Sequence, residues 1–295
     1  MDLEQTAITR LRAAAAMSEK LYDKPLLVTT SGGKDSSVCV ALAERAGIAF
    51  EVVHNHTTVD APETVYFVRQ EFRRLEEQGI RCDIAHPVYK GAPISMWQLI
   101  PMKLMPPTRL IRYCTDILKA RTGKGRFLVT GVRWAESGRR KGNRGIFETI
   151  PSNPKKKIIL THDEDDRGPL LQARHPMTKR GCNPIVDWTD ADVWDYIRSE
   201  RIPVNPLYSC GFNRVGCVGC PMAGKRSRQV EFARYPKYRQ NYIRAFEKMI
   251  AERERRGKLD GTWNMGTTGE DVFHWWMEDG VIPGQIGFDD LEQIA

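Results

Sequence analysis

The sequence predicts an α/β fold: a Rossmann-like, mostly parallel sheet with helices on both faces, a cysteine-cluster region and a C-terminal helical appendage. Three observations carry this. Apolar runs of β-type residues alternate with runs of helical spacing, the pattern of a parallel sheet. The first such run, Leu26 to Thr30, breaks at a glycine turn that opens a helix. From Ser227 on, the text becomes basic and helical with interleaved Tyr and Phe. The expected domains are therefore 1–222, a nucleotide-binding domain that includes the cysteines, and 223–295, the basic helical appendage.

Taken in order, residues 4–20 read as an amphipathic helix ahead of the first strand. The turn Ser31-Gly32-Gly33-Lys34-Asp35-Ser36-Ser37 follows that strand, and Val38, Val40, Leu42, Ala43 and Ala46 continue with helical spacing. Residues 49–57 read as a second strand, and 61–79 as a helix with Pro62 at its start and Gly79 at its end. Residues 126–133 form a later buried strand, and 190–202 a helix capped near Asp187 to Thr189. Between Pro151 and Met177 the text turns polar, with Lys155-Lys156-Lys157 and then Asp163 to Asp166. It reads as an inserted hairpin or loop outside the fold.

Among the 295 residues, 45 are Lys or Arg and 37 are Asp or Glu, giving a net charge of +8. That favours an anionic partner, nucleotide or nucleic acid, without choosing between them. The first twenty residues hold no apolar signal-like run, and no stretch reaches 18 uncharged apolar residues. A cytoplasmic protein with no membrane association is expected. Seven cysteines in such a chain read as thiols or metal ligands rather than disulfides.

The glycine turn fits neither GxxxxGK[ST] nor GxGxxG. Its adjacent glycines let backbone approach an anion, at which the following helix aims free N–H groups and its positive dipole end. Ser31, Ser36 and Ser37 add hydroxyl donors, Lys34 adds a charge, and Asp35 can hold the loop or a metal. Cys210-x6-Cys217-x2-Cys220 has the spacing of a partial metal site that needs one more thiolate. Cys39 and Cys82 read as inert core thiols, while Cys182 stands as an alternative to Cys210. Spacing alone does not separate zinc from an iron–sulfur cluster.

With these residues in view, the chain resembles the PP-loop ATP pyrophosphatases and phosphoadenylylsulfate (PAPS) reductases of the adenine nucleotide alpha-hydrolase-like superfamily. SGGKDS is similar to their SGGxDS loop, TTVDAPET (57–64) to DTGxxFPET, and TGVRWAESGRR (130–140) to a GxRxxES block. Residues 183–220 are similar to the course that runs from a DW[ST]xxDVW stretch through IPxNPLY to GCxxC, so that the likeness covers roughly 24–222. It implies an adenine nucleotide held by Ser31, Gly32, Gly33, Ser36 and Ser37. Arg133, Glu136 and Ser137 would lie beside its acidic group, and Lys34, Asp35 and Ser36 would be the catalytic set. Cys114 lies where iron–sulfur members place a remote cysteine. The implied ligands are thus Cys114, Cys210, Cys217 and Cys220, and the implied group is [4Fe–4S], with Zn²⁺ as the alternative.

A reductase of this kind needs a nucleophilic cysteine on a C-terminal segment, and no cysteine occurs after Cys220. The expected activity is therefore ATP pyrophosphatase chemistry with ATP and Mg²⁺, adenylating a substrate for sulfur insertion. This resembles the Dnd-type DNA phosphorothioation branch. Nucleic acid is the expected substrate, a cysteine desulfurase the expected type of sulfur donor, and a homodimer one assembly open to it. A PAPS or adenylylsulfate reductase and a non-catalytic nucleotide-binding subunit remain as alternatives. Basic runs (Arg109, Arg112, Lys119, Arg121 and Lys124; Arg139, Arg140, Lys141 and Arg144) read as solvated faces. Lys225, Arg226, Arg228, Arg234, Lys237 and Arg239, with Tyr235, Tyr238 and Tyr242, form a stripe suited to a nucleic-acid backbone, with the charged outer face of a plain amphipathic helix as the alternative for any one of them. Trp263, Trp275 and Trp276 read as core.

Overall fold

Alternating apolar runs become strands and helices in the expected order. The computed structural model of the chain describes residues 2–120, 122–151, 154–172, 178–259, 262–264 and 266–280. In chain order these are α1 (Leu3–Tyr22), β1 (Leu26–Thr30), α2 (Lys34–Ala46), β2 (Phe50–Asn55), α3 (Pro62–Glu77) and β3 (Cys82–Ala85). Next come β4 (Val88–Tyr89), β5 (Ala92–Pro93), α4 (Met96–Lys103), β6 (Phe127–Val129), α5 (Gly138–Asn143) and β7 (Phe147–Ile150). The remainder are β8 (Ile159–Leu160), α6 (Gly168–Gln172), β9 (Lys179–Cys182), α7 (Asp190–Ser199), α8 (Lys225–Arg234), α9 (Pro236–Arg255) and α10 (Gly269–Met277).

The chain divides into two units. The first comprises Met1–Asn55, Pro62–Ala85 and Thr122–Val215; the second comprises His56–Ala61, His86–Arg121 and Gly216–Ala295. This differs from the expected split at 222/223. Residues 86–121, assigned from sequence to the nucleotide domain, group with the C-terminal helices because α4 packs on α9. The Trp97 ring meets Tyr242 edge-on at 5.0 Å, and Arg253 donates to the Leu104 carbonyl at 2.9 Å. Neither partnership is visible as local periodicity.

In the first unit the sheet has the order β3-β2-β1-β6-β9-β7-β8. β1 pairs parallel with β2 and β6, β2 with β3, and β6 with β9, whereas β7 runs antiparallel to both β9 and β8. Side chains alternate across it. Val28, Val52 and Val129 join the main core with Leu11 and Ala14 of α1 and Val38 and Leu42 of α2, while Leu27, Val53 and Leu128 form a smaller cluster on the other face.

The polar stretch 151–177 corrects the expectation of an insertion outside the fold. β8 extends the sheet through β7, and Asp163 binds a core-facing arginine; residues 152–153 and 173–177 lie outside the described residues. That arginine is Arg10, buried on α1. Its guanidinium donates to Asp163 (2.7 Å), to Asp187 (2.8 Å) and to the Pro184 carbonyl (2.8 Å). Arg10→Ala is expected to destabilise the fold by about 2 kcal/mol, since both carboxylates are partly exposed and can rehydrate. A lower urea midpoint at unchanged slope checks this. No helix among the described residues is long and apolar enough to cross a membrane.

Candidate active site

The glycine turn lies between Thr30, the last residue of β1, and Lys34, the first of α2, with Gly33 as N-cap. Gly32 has φ 72°, and a Cβ there would sit 2.9 Å from Thr64 Cγ2 on α3. The turn therefore requires glycine on conformational and steric grounds. Asn205 locks the turn, donating to the Gly32 carbonyl (3.3 Å) and to Thr64 Oγ1 (3.0 Å). Ser36 Oγ donates to the Gly33 carbonyl (2.7 Å) and accepts from the Ser31 N–H (3.3 Å). The Lys34 N–H donates to Tyr208 Oη at 2.9 Å, and burial pushes that phenol up to about 12, so it stays neutral.

Gly131, just after β6, lies so close to the first turn of α2 that a Cβ would fall 2.7 Å from the Asp35 carbonyl carbon. This approach brings Arg133 to the loop. Arg133 Nε donates to Asp35 Oδ1 at 2.6 Å, Nη2 to Asp190 Oδ1 at 2.9 Å, and Nη1 to the Trp188 carbonyl at 3.3 Å. Lys34 Nζ reaches Asp190 at 2.8 Å and Asp35 at 3.2 Å. The Lys34 and Arg133 side chains are 6% and 4% exposed, against 23% for Asp35 and 64% for Asp190. Two buried cations thus face two more accessible carboxylates. Hydrogen bonding from Lys34, then from Arg133, holds the Asp190 carboxyl below its usual range.

The structure places the predicted loop residues Ser31, Gly32, Gly33, Lys34, Asp35, Ser36 and Ser37 together, with Arg133 beside them. Glu136 has another part. Its carboxylate accepts from the Arg133 N–H at 3.0 Å and pairs with Arg140, bracing the turn, while Ser137 caps α5. Asp190 and Tyr208 were absent from the sequence-derived set.

In the second unit, Cys217 pairs through backbone with Asp60, and its Sγ is hydrogen-bonded to Thr57 Oγ1 at 3.4 Å. Cys220 follows in a tight turn, its N–H on the Cys217 carbonyl at 3.2 Å. Cys114 precedes a π-helical turn, Thr115–Lys119. Burial, then the neighbouring Cys217 and Cys220 sulfurs, push the Cys114 thiol up to about 11. The wide turn brings Lys119 to Cys217, and interaction with the Cys217 sulfur, then with Asp60 and Cys220, raises the pKa of the ammonium against the opposing effect of burial. From sequence Lys119 belonged to a solvated basic run; here it serves the thiols.

Cys114, Cys217 and Cys220 therefore share one neighbourhood in which three thiols and a cation converge, a donor set that fits a thiolate-bound metal centre. The three do not close into a ready-made group of single-ion ligands among the described residues. One tetrahedral zinc with Zn–S of about 2.3 Å holds its sulfurs about 3.8 Å apart, whereas a four-iron cluster keeps its ligand sulfurs wider. Cys210 is exposed and belongs to the first unit. Cys182 and Cys39 are fully buried in the core of the sheet unit, among apolar side chains, which disfavours Cys182 as the alternative ligand. Cys82 is a partial correction, half-buried on the edge strand β3 rather than in the core.

The basic stripe is also corrected in part. Tyr235 and Tyr242 are buried, and Arg228, fully buried, donates to the Trp276 and Met277 carbonyls and to Asp279. Arg239 pairs with Glu270 and Lys225 with Glu278. Arg226 and Lys237 are exposed. Trp263 and Trp276 are core as expected, Trp275 only partly so. Arg121 and the Arg139 side chain lie outside the described residues.

Residues 25–223 match the phosphoadenosine phosphosulfate reductase domain. The chain belongs to this PAPS reductase domain family. The domain carries the loop, Arg133, Asp190 and all seven cysteines. A "Sulfate adenylyltransferase subunit 2" of a Bradyrhizobium strain is 29% identical over 221 residues, 70% of this chain and 62% of that protein. An uncharacterized protein of Methanocaldococcus jannaschii is 26% identical over 193 residues, and this chain spans only 40% of its length. Among solved structures, a PAPS reductase from Candida auris in a phosphate complex aligns at TM-score 0.46 and 17% identity, over 72% of this chain and 88% of that one.

Proposed function

We propose that this PAPS reductase-domain protein is an ATP pyrophosphatase that adenylates an acceptor for sulfur insertion. The observation that carries the reading is the loop itself: two glycines at the N-terminus of α2, with buried Lys34 and Arg133 beside them. Such a site suits a polyphosphate, which gains from the helix end and from charge-assisted contacts. An acceptor oxygen attacks the α-phosphorus of ATP, the bond to the bridging oxygen breaks, and pyrophosphate leaves. A sulfur nucleophile then displaces AMP from the adenylated atom. Mg²⁺ carried on the ATP phosphates would offset part of their charge in this site. The name of the Bradyrhizobium relative, a sulfate adenylyltransferase subunit, supports adenylyl transfer as the reaction type.

Cys114, Cys217 and Cys220, with Cys210 as the fourth ligand, would hold a [4Fe–4S] cluster. When bound, it supplies redox capacity and a rigid anchor for the segments that carry its ligands. Zinc is the alternative occupant of the same thiols. The acceptor proposed is nucleic acid, with a cysteine desulfurase as sulfur donor; the net charge of +8 and exposed Arg226 and Lys237 support a polyanion.

Anaerobic incubation with ATP and with PAPS in parallel, following pyrophosphate, AMP and sulfite, tests the reaction. Pyrophosphate from ATP is expected. Sulfite from PAPS would make the protein a reductase, and neither product would make it a non-catalytic nucleotide binder. For the acceptor, log K against log salt for tRNA or DNA should fall by about 0.7–0.9 per phosphate neutralised. Arg226→Glu with Lys237→Glu should weaken that binding while sparing ATP cleavage. A flat slope, with sulfate accepting the adenylyl group, would move the acceptor to a small anion.

A further inference from the structure

We infer that Asp190 is a built-in competitor for the anion site: its carboxylate occupies the two buried cations, Lys34 and Arg133, that an incoming phosphate must use. The inference rests on reading the loop as a nucleotide site. Lys34 Nζ lies 2.8 Å and Arg133 Nη2 2.9 Å from the same oxygen, Asp190 Oδ1. A carboxylate oxygen held between an ammonium and a guanidinium takes the place a phosphate oxygen would take. Asp190 is also the first residue of α7, so it sits at that helix's positive end, another position suited to an anion.

The two carboxylates of the network differ in how readily they can leave. Asp35 belongs to the loop, is 23% exposed, and is held by Arg133 Nε at 2.6 Å. Asp190 is 64% exposed, so its carboxylate can swing into water at little desolvation cost of its own, leaving Lys34 and Arg133 to the incoming anion. Its departure leaves α7 capped, because the capping box is made by Thr189 and Asp192. The arrangement keeps two desolvated cations neutralised and gives them up to a ligand carrying more charge than one carboxylate. Asp190 is thus a positioning residue that sets anion affinity and selects for multiply charged groups.

Titration calorimetry of the full chain with ATP and with inorganic pyrophosphate tests this on wild type, Asp190→Asn and Asp190→Glu, each checked by thermal melting. Removing an exposed competing charge should tighten pyrophosphate binding about three- to tenfold in Asp190→Asn. Asp190→Glu, which keeps the charge, should show less of that gain. A merely structural role would not produce tighter binding. If wild type binds pyrophosphate and Asp190→Asn binds it equally or more weakly, competition is overturned and Asp190 instead holds the cations in place. If no variant binds either ligand, the loop reading falls with it.

Discussion

Arg133→Ala is expected to abolish pyrophosphate release from ATP and to weaken ATP binding at least a hundredfold. The guanidinium is buried and makes two charge-assisted hydrogen bonds, to Asp35 and Asp190, besides one to the Trp188 carbonyl. Without it, Lys34 alone faces both carboxylates, and the loop changes from balanced to net negative where a polyphosphate must bind. A guanidinium that trades Asp190 for a phosphate can offer it a bidentate pair of charge-assisted hydrogen bonds, about 1.5–3 kcal/mol each, so losing that pair corresponds to a hundredfold or more in affinity. Arg133→Lys keeps the charge without the planar fork and should recover only part of it. Asp35→Ala and Ser36→Ala should likewise abolish turnover. Ser36 ties the Gly33 carbonyl to the Ser31 N–H, and Asp35 anchors Arg133. Calorimetry with ATP and a pyrophosphate assay check these, with thermal melts to confirm folding. Unchanged affinity in folded Arg133→Ala would remove Arg133 from the nucleotide site.

What the sequence made legible here was contiguous. β1, the glycine turn and α2 occupy one unbroken stretch, so strand, anion loop and helix could be read together. Arg133 was reached through a motif, but its partner Asp190 lies 57 residues further on and is joined only by the fold. Lys119 shows the same limit at shorter range. Five residues beyond Cys114, it would point elsewhere from an α-helix, and the π-helical turn aligns it with Cys217. Periodicity does not report such a turn. The division into units was hidden for a related reason: Trp97 and Arg253 belong to unremarkable helical text, and only tertiary packing joins α4 to α9. The basic stripe failed in the opposite direction, since composition cannot tell a solvent-facing arginine from Arg228, buried against main-chain carbonyls.

Serine substitution at Cys114, Cys217 or Cys220 is expected to take iron from about four per chain toward zero in anaerobically purified protein, the content of one [4Fe–4S] cluster. Each of these thiols belongs to one neighbourhood in the second unit, and serine is a poor ligand for iron there. Cys39→Ser and Cys182→Ser should retain iron, because both sulfurs are enclosed in the sheet's core; any loss in them should follow loss of folding. Cys82, on the edge strand, should be silent in both respects. Cys210→Ser is the discriminating variant, since Cys210 is exposed and lies in the first unit, whereas the proposed set needs it as fourth ligand. Loss of iron in Cys210→Ser supports it as fourth ligand, whereas full retention leaves a three-cysteine cluster with an open iron. A colourless wild-type protein containing one zinc per chain would overturn the cluster itself.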